Sequence, residues 1–303
     1  MKKKILITGA GGFIGSELVN SFSKLNYEVH ALDKKFSYHF SENKNIFFYK
    51  GDFSKLKKKK FKQIDFFIHA AAITSPKNIK FESSLIAKNI LLTKKSLELA
   101  IKLKIKKYFL ISSTAIYKTN KLEIFNEKSN VYSINNYAKS KLLAEDLVAK
   151  FCTKNNINYK IFRLGNVYSG IEKKLWSRKN VSMFQKWLDS SKKNVPLQTN
   201  SLLKKRDWTY VRDIPLIINS IIKSKNKTIK IINLVSPFIK TDLNMMRCIS
   251  KKLNQKYNFR ENKFSTINHN ASQSLYLKKF KFNKWTSPSK AISLIINNKN
   301  EKK

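Results

Sequence analysis

The sequence predicts an α/β fold: a doubly wound parallel-sheet domain with a smaller C-terminal part. Three observations carry that reading. Short apolar segments alternate with helix-length amphipathic segments through the first half of the 303-residue chain, the pattern of βαβ units covered on both faces. Four of only seven glycines fall between Gly9 and Gly15, at the first strand-to-helix junction. An acidic residue, Asp33, closes the second apolar segment about twenty residues beyond that turn.

Taken in order, Ile5–Ile7 is a short apolar run and reads as a buried strand. Glycine weakens helices and strands and is kept where a side chain does not fit, so Gly9 to Gly15 mark a turn. Phe13, Ile14, Leu18, Val19 and Phe22 then recur at helical spacing, and the helix is placed over Ser16–Leu25. Such a junction aims bare N–H groups and the positive end of a helix at one point, which suits a diphosphate. Its spacing, Gly9-x-x-Gly12-x-x-Gly15, differs from the G-x-G-x-x-G fingerprint, and a tight turn with no ligand is the bland alternative.

Further strands are expected at Glu28–Leu32, Ile46–Tyr49, Ile64–Ala70, Lys107–Ser112 and Tyr159–Arg163, with helices at Ser83–Ile101 and Tyr137–Phe151. Right-handed crossovers line up the carboxyl ends of the strands along one edge, where ligands bind. After Leu164 the pattern loosens, with helical segments at Ser177–Lys193 and Asp242–Leu253. The division is therefore residues 1–165 for the doubly wound domain and 166–303 for a substrate-binding part, some of whose segments return to the first domain. No internal repeat or Pro- or Gly-rich linker marks the boundary.

The formal charge of +43 raises the possibility of a nucleic-acid partner. The basic residues are nearly all Lys, with Arg at only six positions, and they are spread along the whole chain. Base readers rely on Arg forks and stacked aromatics, so no specific nucleic-acid binding is expected. The Lys57–Lys60 run reads as a solvated loop. The charge would still attract an anionic ligand such as a nucleotide diphosphate. Two distant cysteines and four scattered histidines match no metal or disulfide spacing. Met-Lys-Lys-Lys-Ile-Leu-Ile imitates a signal peptide, but its apolar run stops at Thr8-Gly9. No later stretch is long enough to span a bilayer. A soluble cytoplasmic protein without membrane insertion is expected.

Three places carry chemistry. Asp33 at a strand end can accept hydrogen bonds from a ribose 2′-OH and would repel a 2′-phosphate, which favours NAD over NADP. Lys34 and Lys35 offset that repulsion and leave NADP possible. Tyr137 and Lys141 share a helix face at i and i+4, where an ammonium favours the phenolate; in so lysine-rich a chain the spacing alone also arises by chance. Ser112-Ser113-Thr114-Ala115-Ile116-Tyr117 follows an apolar strand, so its hydroxyls emerge at the carboxyl edge of the sheet, as strand-end caps or as substrate contacts.

The order of motifs resembles the extended short-chain dehydrogenase/reductases, specifically the NAD-dependent epimerase/dehydratase group acting on nucleotide sugars. TGAGGFIG, Asp33, Gly51-Asp52, His69-Ala-Ala-Ala72, Asn89, SSTAIY and YAKSK occur in sequence. Arg163-Leu-Gly-Asn-Val-Tyr168 and Arg206-Asp-Trp-Thr-Tyr-Val-Arg-Asp213 are similar to two later family motifs. The likeness is clear up to about residue 215 and faint beyond.

The resemblance implies a Rossmann domain and roles by position. Gly9, Gly12 and Gly15, with Phe13 and Ile14 between them, would bind the cofactor at its diphosphate. Asp33 would take the adenosine ribose, and Asp52 with Phe53 would lie at the adenine. Ala70, Ala71 and Asn89 belong to the same cofactor set. Ser113 aligns with the catalytic Ser/Thr, Tyr137 with the acid/base, and Lys141 with the residue that also binds the nicotinamide ribose. Ser113 would touch the substrate too, while Asn166 and Arg206 would contact the diphosphate of a nucleotide sugar. A homodimer through a helix pair including Tyr137–Phe151 is the family expectation, as is a place in cell-surface polysaccharide or lipopolysaccharide synthesis. Asn136 stands where a proline is common, Ile90–Thr93 lack the family's glycine after Asn89, and Ser169 replaces a glycine. Where sugar 4,6-dehydratases carry Thr-Asp-Glu this chain has Ser113-Thr114-Ala115. An epimerase or ketoreductase therefore ranks above a dehydratase, and the joint presence of Ser113, Tyr137 and Lys141 ranks it above a catalytically idle dinucleotide-binding protein.

Overall fold

The structure is a computed structural model that describes residues 2–52, 61, 63–74, 84–117, 124–132, 135–175, 177–224, 226–255, 258–261 and 271–300. Phe53, Ser83, His269 and the Lys57–Lys60 run lie outside the described residues.

The first half runs β1 (Lys4–Thr8), α1 (Phe13–Lys24), β2 (Glu28–Asp33), β3 (Ile46–Lys50), β4 (Phe66–His69), α2 (Leu85–Lys102), β5 (Lys107–Ser113), α3 (Asn136–Lys154) and β6 (Asn158–Leu164). The rest adds β7 (Asn166–Tyr168), α4 (Met183–Lys192), β8 (Leu197–Thr199), β9 (Lys205–Tyr210), α5 (Asp213–Lys223) and β10 (Ile231–Leu234). It closes with β11 (Ile239–Thr241), α6 (Asp242–Leu253), β12 (Phe259–Glu261) and α7 (Pro288–Asn300).

Seven strands form one sheet in the order β10-β6-β5-β4-β1-β2-β3. Every pairing in it is parallel. The strand order reverses between β1 and β4, the switch point at which open α/β sheets bind ligands. Thr8 pairs with both Leu32 and His69, so the ends of β1, β2 and β4 are level there.

A strand buried on both faces sends alternate side chains to opposite cores. Ile5 and Ile7 accordingly join Leu18, Val19, Phe22, Ile217 and Ile218 under α1 and α5. Leu6 goes the other way, to Phe67, Leu97, Leu110 and Val148 under α2 and α3. Two elements beyond residue 165 complete this layer. β10 pairs with β6, and α5 brings Asn219 to the Tyr27 hydroxyl at 2.8 Å.

A third core lies under the C-terminal segments, where Tyr168, Phe184, Trp187, Trp208, Met246 and Ile292 pack together. Here β7 runs parallel to β9, and β11 antiparallel to it. The motifs beginning at Arg163 and Arg206 thus end as neighbouring strands.

One helix starts later than its sequence pattern suggests. The apolar periodicity predicts Ser177–Lys193, but α4 begins at Met183. Ser182 is its cap, accepting the Gln185 N–H. The preceding residues are taken up by a backbone pair between Leu175 and Arg178, at 2.8 and 3.1 Å. Among the described residues, no helix is long and apolar enough to cross a membrane.

Candidate active site

The turn after β1 packs against the chain leaving β4. Gly9 has φ +73°, and a Cβ on it would lie 2.4 Å from the Ala71 nitrogen. Any side chain would push the two loops apart, so Gly9 serves the protein's own packing. Gly12 is different: a Cβ there would meet only Gly9 O, at 3.2 Å. It caps α1 with no side-chain hydrogen bond, and no acidic residue stands in the first turn of α1. The helix N-terminus therefore faces the cleft with no acidic residue in its own first turn, which suits a diphosphate.

Gly9, Gly12, Asp33, Asp52, Ala70 and Ala71 line one recess of that cleft. The Asp33 carboxylate accepts the Gly11 N–H at 2.9 Å and the Lys35 N–H at 3.3 Å. Burial raises its carboxyl above the ordinary value, while these backbone donors oppose the rise. Asp52 pairs with Lys95 at 3.3 Å and lies 4.0 Å from Lys34.

A second recess shares Gly9, Gly12 and Ala70 with the first and reaches Ser113, Tyr137 and Lys141. Phe13, Ile14 and Gly15 line it as well. Ser113 ends β5, where its hydroxyl accepts the Ala115 N–H and hydrogen-bonds Tyr137. Asn135 caps α3 by accepting the Ala138 N–H at 2.8 Å, which seats Tyr137 in the first turn. Lys141 lies one turn on, buried, its ammonium donating to Ile111 O at 2.8 Å. Burial lowers its pKa to about 8, and Glu145 opposes that fall.

The phenol departs from the sequence-based expectation that Lys141 lowers it. Burial raises Tyr137 above its ordinary value; the Ser113 hydrogen bond and the charge of Arg178 pull it back. The Lys141 ammonium is held by a carbonyl and stands 5.8 Å from the Tyr137 ring centroid.

Three other expected residues sit outside this lining. Asn89 is buried behind it: its amide accepts the Ile73 N–H and donates to Ile73 O and to Ser140. It shapes the cleft wall through Ile73, and its buried amide is filled by protein partners. Asn166 stands on β7, its backbone N–H on Asp207 at 2.6 Å. Burial raises that carboxyl to about 7. Arg206 on β9 makes a two-pronged pair with buried Asp242 at 2.7 and 3.0 Å. Gly165 and Val167, on either side of Asn166, do line the second recess.

Two groups escaped sequence reasoning. Arg178 and Ser177 line the recess beside Tyr137; that Arg178 is one of six arginines in a lysine-rich chain was the available signal. Glu145, two turns after Tyr137, binds Arg163 through both carboxylate oxygens at 2.7–3.2 Å and takes the Ser112 hydroxyl at 2.5 Å. Among the described residues, no group of three or more His, Cys, Asp or Glu could hold a metal.

A parallel sheet that reverses its strand order beside a glycine turn makes this a doubly wound, Rossmann-type fold, with Tyr137 and Lys141 one turn apart on the helix beside the cleft. Within that class, the chain belongs to the NAD-dependent epimerase/dehydratase family, whose description matches residues 5–234. It is 30% identical over 306 residues to the bifunctional polymyxin resistance protein ArnA of Wigglesworthia glossinidia brevipalpis, covering 90% of this chain and 45% of that one. It is 32% identical over 242 residues to the dTDP-D-glucose 4,6-dehydratase of Dictyostelium discoideum, covering 70% and 54%. The chain thus spans about half the length of these two relatives. In fold it is similar to the UDP-N-acetylglucosamine 4-epimerase of Methanobrevibacter ruminantium M1, with a TM-score of 0.85, 20% identity and full coverage of both chains.

Proposed function

We propose that the protein is an NAD-dependent epimerase or ketoreductase of a nucleotide-activated sugar. The observation that carries this reading is the placement of Ser113, Tyr137 and Lys141 in one recess that continues to the open N-terminus of α1. Gly9, Gly12 and Gly15 would hold NAD at its diphosphate, Asp33 at the adenosine ribose, and Lys141 at the nicotinamide ribose. Bound NAD supplies the hydride acceptor and, on the return, the donor.

This chain's residues handle the proton and the pose. Tyr137 takes the proton of a sugar hydroxyl and returns it, with Ser113 orienting the reacting oxygen. Lys141 supplies positive charge one helical turn away. Asn166 and Arg206 are assigned to the sugar-nucleotide diphosphate, Arg206 through its positive charge, its Nε and Nη2 being taken by Asp242. Thr114 and Ala115 supply no acid/base pair for eliminating water, which sets a dehydratase second despite the Dictyostelium relative.

The substrate is proposed to reach a cytoplasmic homodimer. Leu143, an apolar side chain 41% exposed on α3, is consistent with a helix-pair contact.

The test begins with acid release and identification of any retained dinucleotide, then titration of NAD and NADPH into stripped protein. Turnover of UDP- and dTDP-sugars follows, for the natural chain and Tyr137→Phe. The expected result is NAD binding in both proteins, with turnover only in the first. Absence of dinucleotide binding, or full turnover in Tyr137→Phe, overturns the proposal.

A further inference from the structure

We propose that Arg178 is a positioning residue for proton transfer: it acts through Tyr137 as a second cation, brought to the phenol by the segment that crosses the cleft. The inference rests on the reading of Tyr137 as acid/base.

Leu175, Ser177 and Arg178 line the recess that also holds Phe13 and Tyr137. Ser177 O receives the Thr74 N–H at 2.8 Å, which ties the segment to the chain beyond β4. Leu175 and Arg178 are paired backbone to backbone. The guanidinium lies 4.9 Å from the Phe13 ring centroid, in the first turn of α1. Its Nη2 donates to Glu172 Oε2 at 2.6 Å and its Nε to Asn180 O at 3.0 Å. Two bonds and a ring face thus hold the fork in one orientation, in the recess that Ser113, Tyr137 and Lys141 also line.

The charges around the phenol divide by element. From α3 comes Lys141, with Glu145 behind it and its ammonium on Ile111 O. Behind Lys141, on β4, His69 is buried and kept neutral by a pKa of about 3. From β5 comes the Ser113 hydroxyl. From the crossing segment comes Arg178, with Glu172 behind it. That carboxylate also accepts the Ser182 N–H and hydroxyl, so its charge is shared among three donors. An opposite charge close to a phenol favours the phenolate, and Arg178, which lines the same recess as Tyr137, is a cation placed to do this. The acidity of the phenol then depends on how the segment is seated, as well as on the helix that carries it.

The experiment is a pH titration of tyrosinate absorbance on the full-length, NAD-saturated protein. Subtracting the same titration of Tyr137→Phe isolates the one phenol. Arg178→Gln is expected to raise its midpoint by roughly one pH unit, and Arg178→Lys to restore most of that change. Glu172→Gln keeps the arginine and removes its counter-charge, so the midpoint is expected to fall; this variant also serves if Arg178→Gln does not fold. Coincident midpoints for Arg178→Gln and the natural chain overturn the inference. So does an equal displacement in Arg178→Lys, or an unmoved or raised midpoint in Glu172→Gln. Turnover decides the other question separately: an active Tyr137→Phe would remove the acid/base role while the charge coupling still stood.

Discussion

The ammonium of Lys141 donates to the carbonyl of Ile111 at 2.8 Å, which anchors the Tyr137 helix to the strand ending in Ser113. That buried cation loses its proton near pH 8, against an ordinary 10.5. Turnover is expected to fall on the alkaline side of about pH 8. Glu145→Gln removes the charge that holds the Lys141 proton, so it is expected to move that limb lower. The folded state binds fewer protons than the unfolded chain between about 8 and 10.5, so stability contributed by this group rises with pH across that window and is lowest below it. Melting the natural chain and Lys141→Met on both sides of the window checks the sign: the variant lacks this contribution.

Glu145 and Arg163 are both nearly sealed from solvent, their side chains 5% exposed. Removing one partner leaves an uncompensated buried charge, which costs about 3–5 kcal/mol. Arg163→Leu and Glu145→Leu are each expected to lose about that much in urea denaturation. The double variant is expected to lose less than the sum, because no lone charge remains.

The glycine turn separates folding from binding. Gly9→Ala forces a Cβ within 2.4 Å of Ala71 N at a left-handed φ, and is expected to cost about 1–3 kcal/mol of stability. Gly12→Ala meets only Gly9 O, at 3.2 Å. Its melting temperature is expected to change little while NAD affinity drops about tenfold or more, about 1.4 kcal/mol. Calorimetric titration of NAD with parallel melts distinguishes the two.

Arg206 is held by Asp242, whose carboxylate also takes the Thr199 hydroxyl at 2.6 Å. A lysine cannot reproduce the two-pronged fork. Without that fork Asp242 no longer fixes the cation, so in Arg206→Lys the KM for the nucleotide sugar is expected to rise about tenfold, about 1.4 kcal/mol. NAD retention and kcat are expected to hold. An unchanged KM would leave Arg206 with a structural role only.

Much of the frame was legible in local pattern. β1, β2, β5 and β6 fall where the apolar runs lie, and α6 has the bounds its periodicity predicts, Asp242–Leu253. Asp33 does end beside the glycine turn, because β1 and β2 are adjacent and level. Asn89 was less readable. Its position on α2 follows from periodicity, but whether its amide meets a ligand or Ile73 depends on how α2 packs.

The sequence by itself determined the doubly wound sheet, the bare turn at its switch point, and the helix that spaces Tyr137 from Lys141. These rest on periods of two and 3.6 residues and on backbone preferences, which act between near neighbours. Only the tertiary structure decided that β10 joins β6, that Glu145 answers Arg163 across 18 residues, and that Arg206 is tied to Asp242 across 36. It also placed Arg178 and Tyr137 in the lining of one recess. Ion pairs and hydrogen bonds of that range form where chain crossings bring distant segments within a few ångströms, and no local pattern encodes which partner a charge will meet.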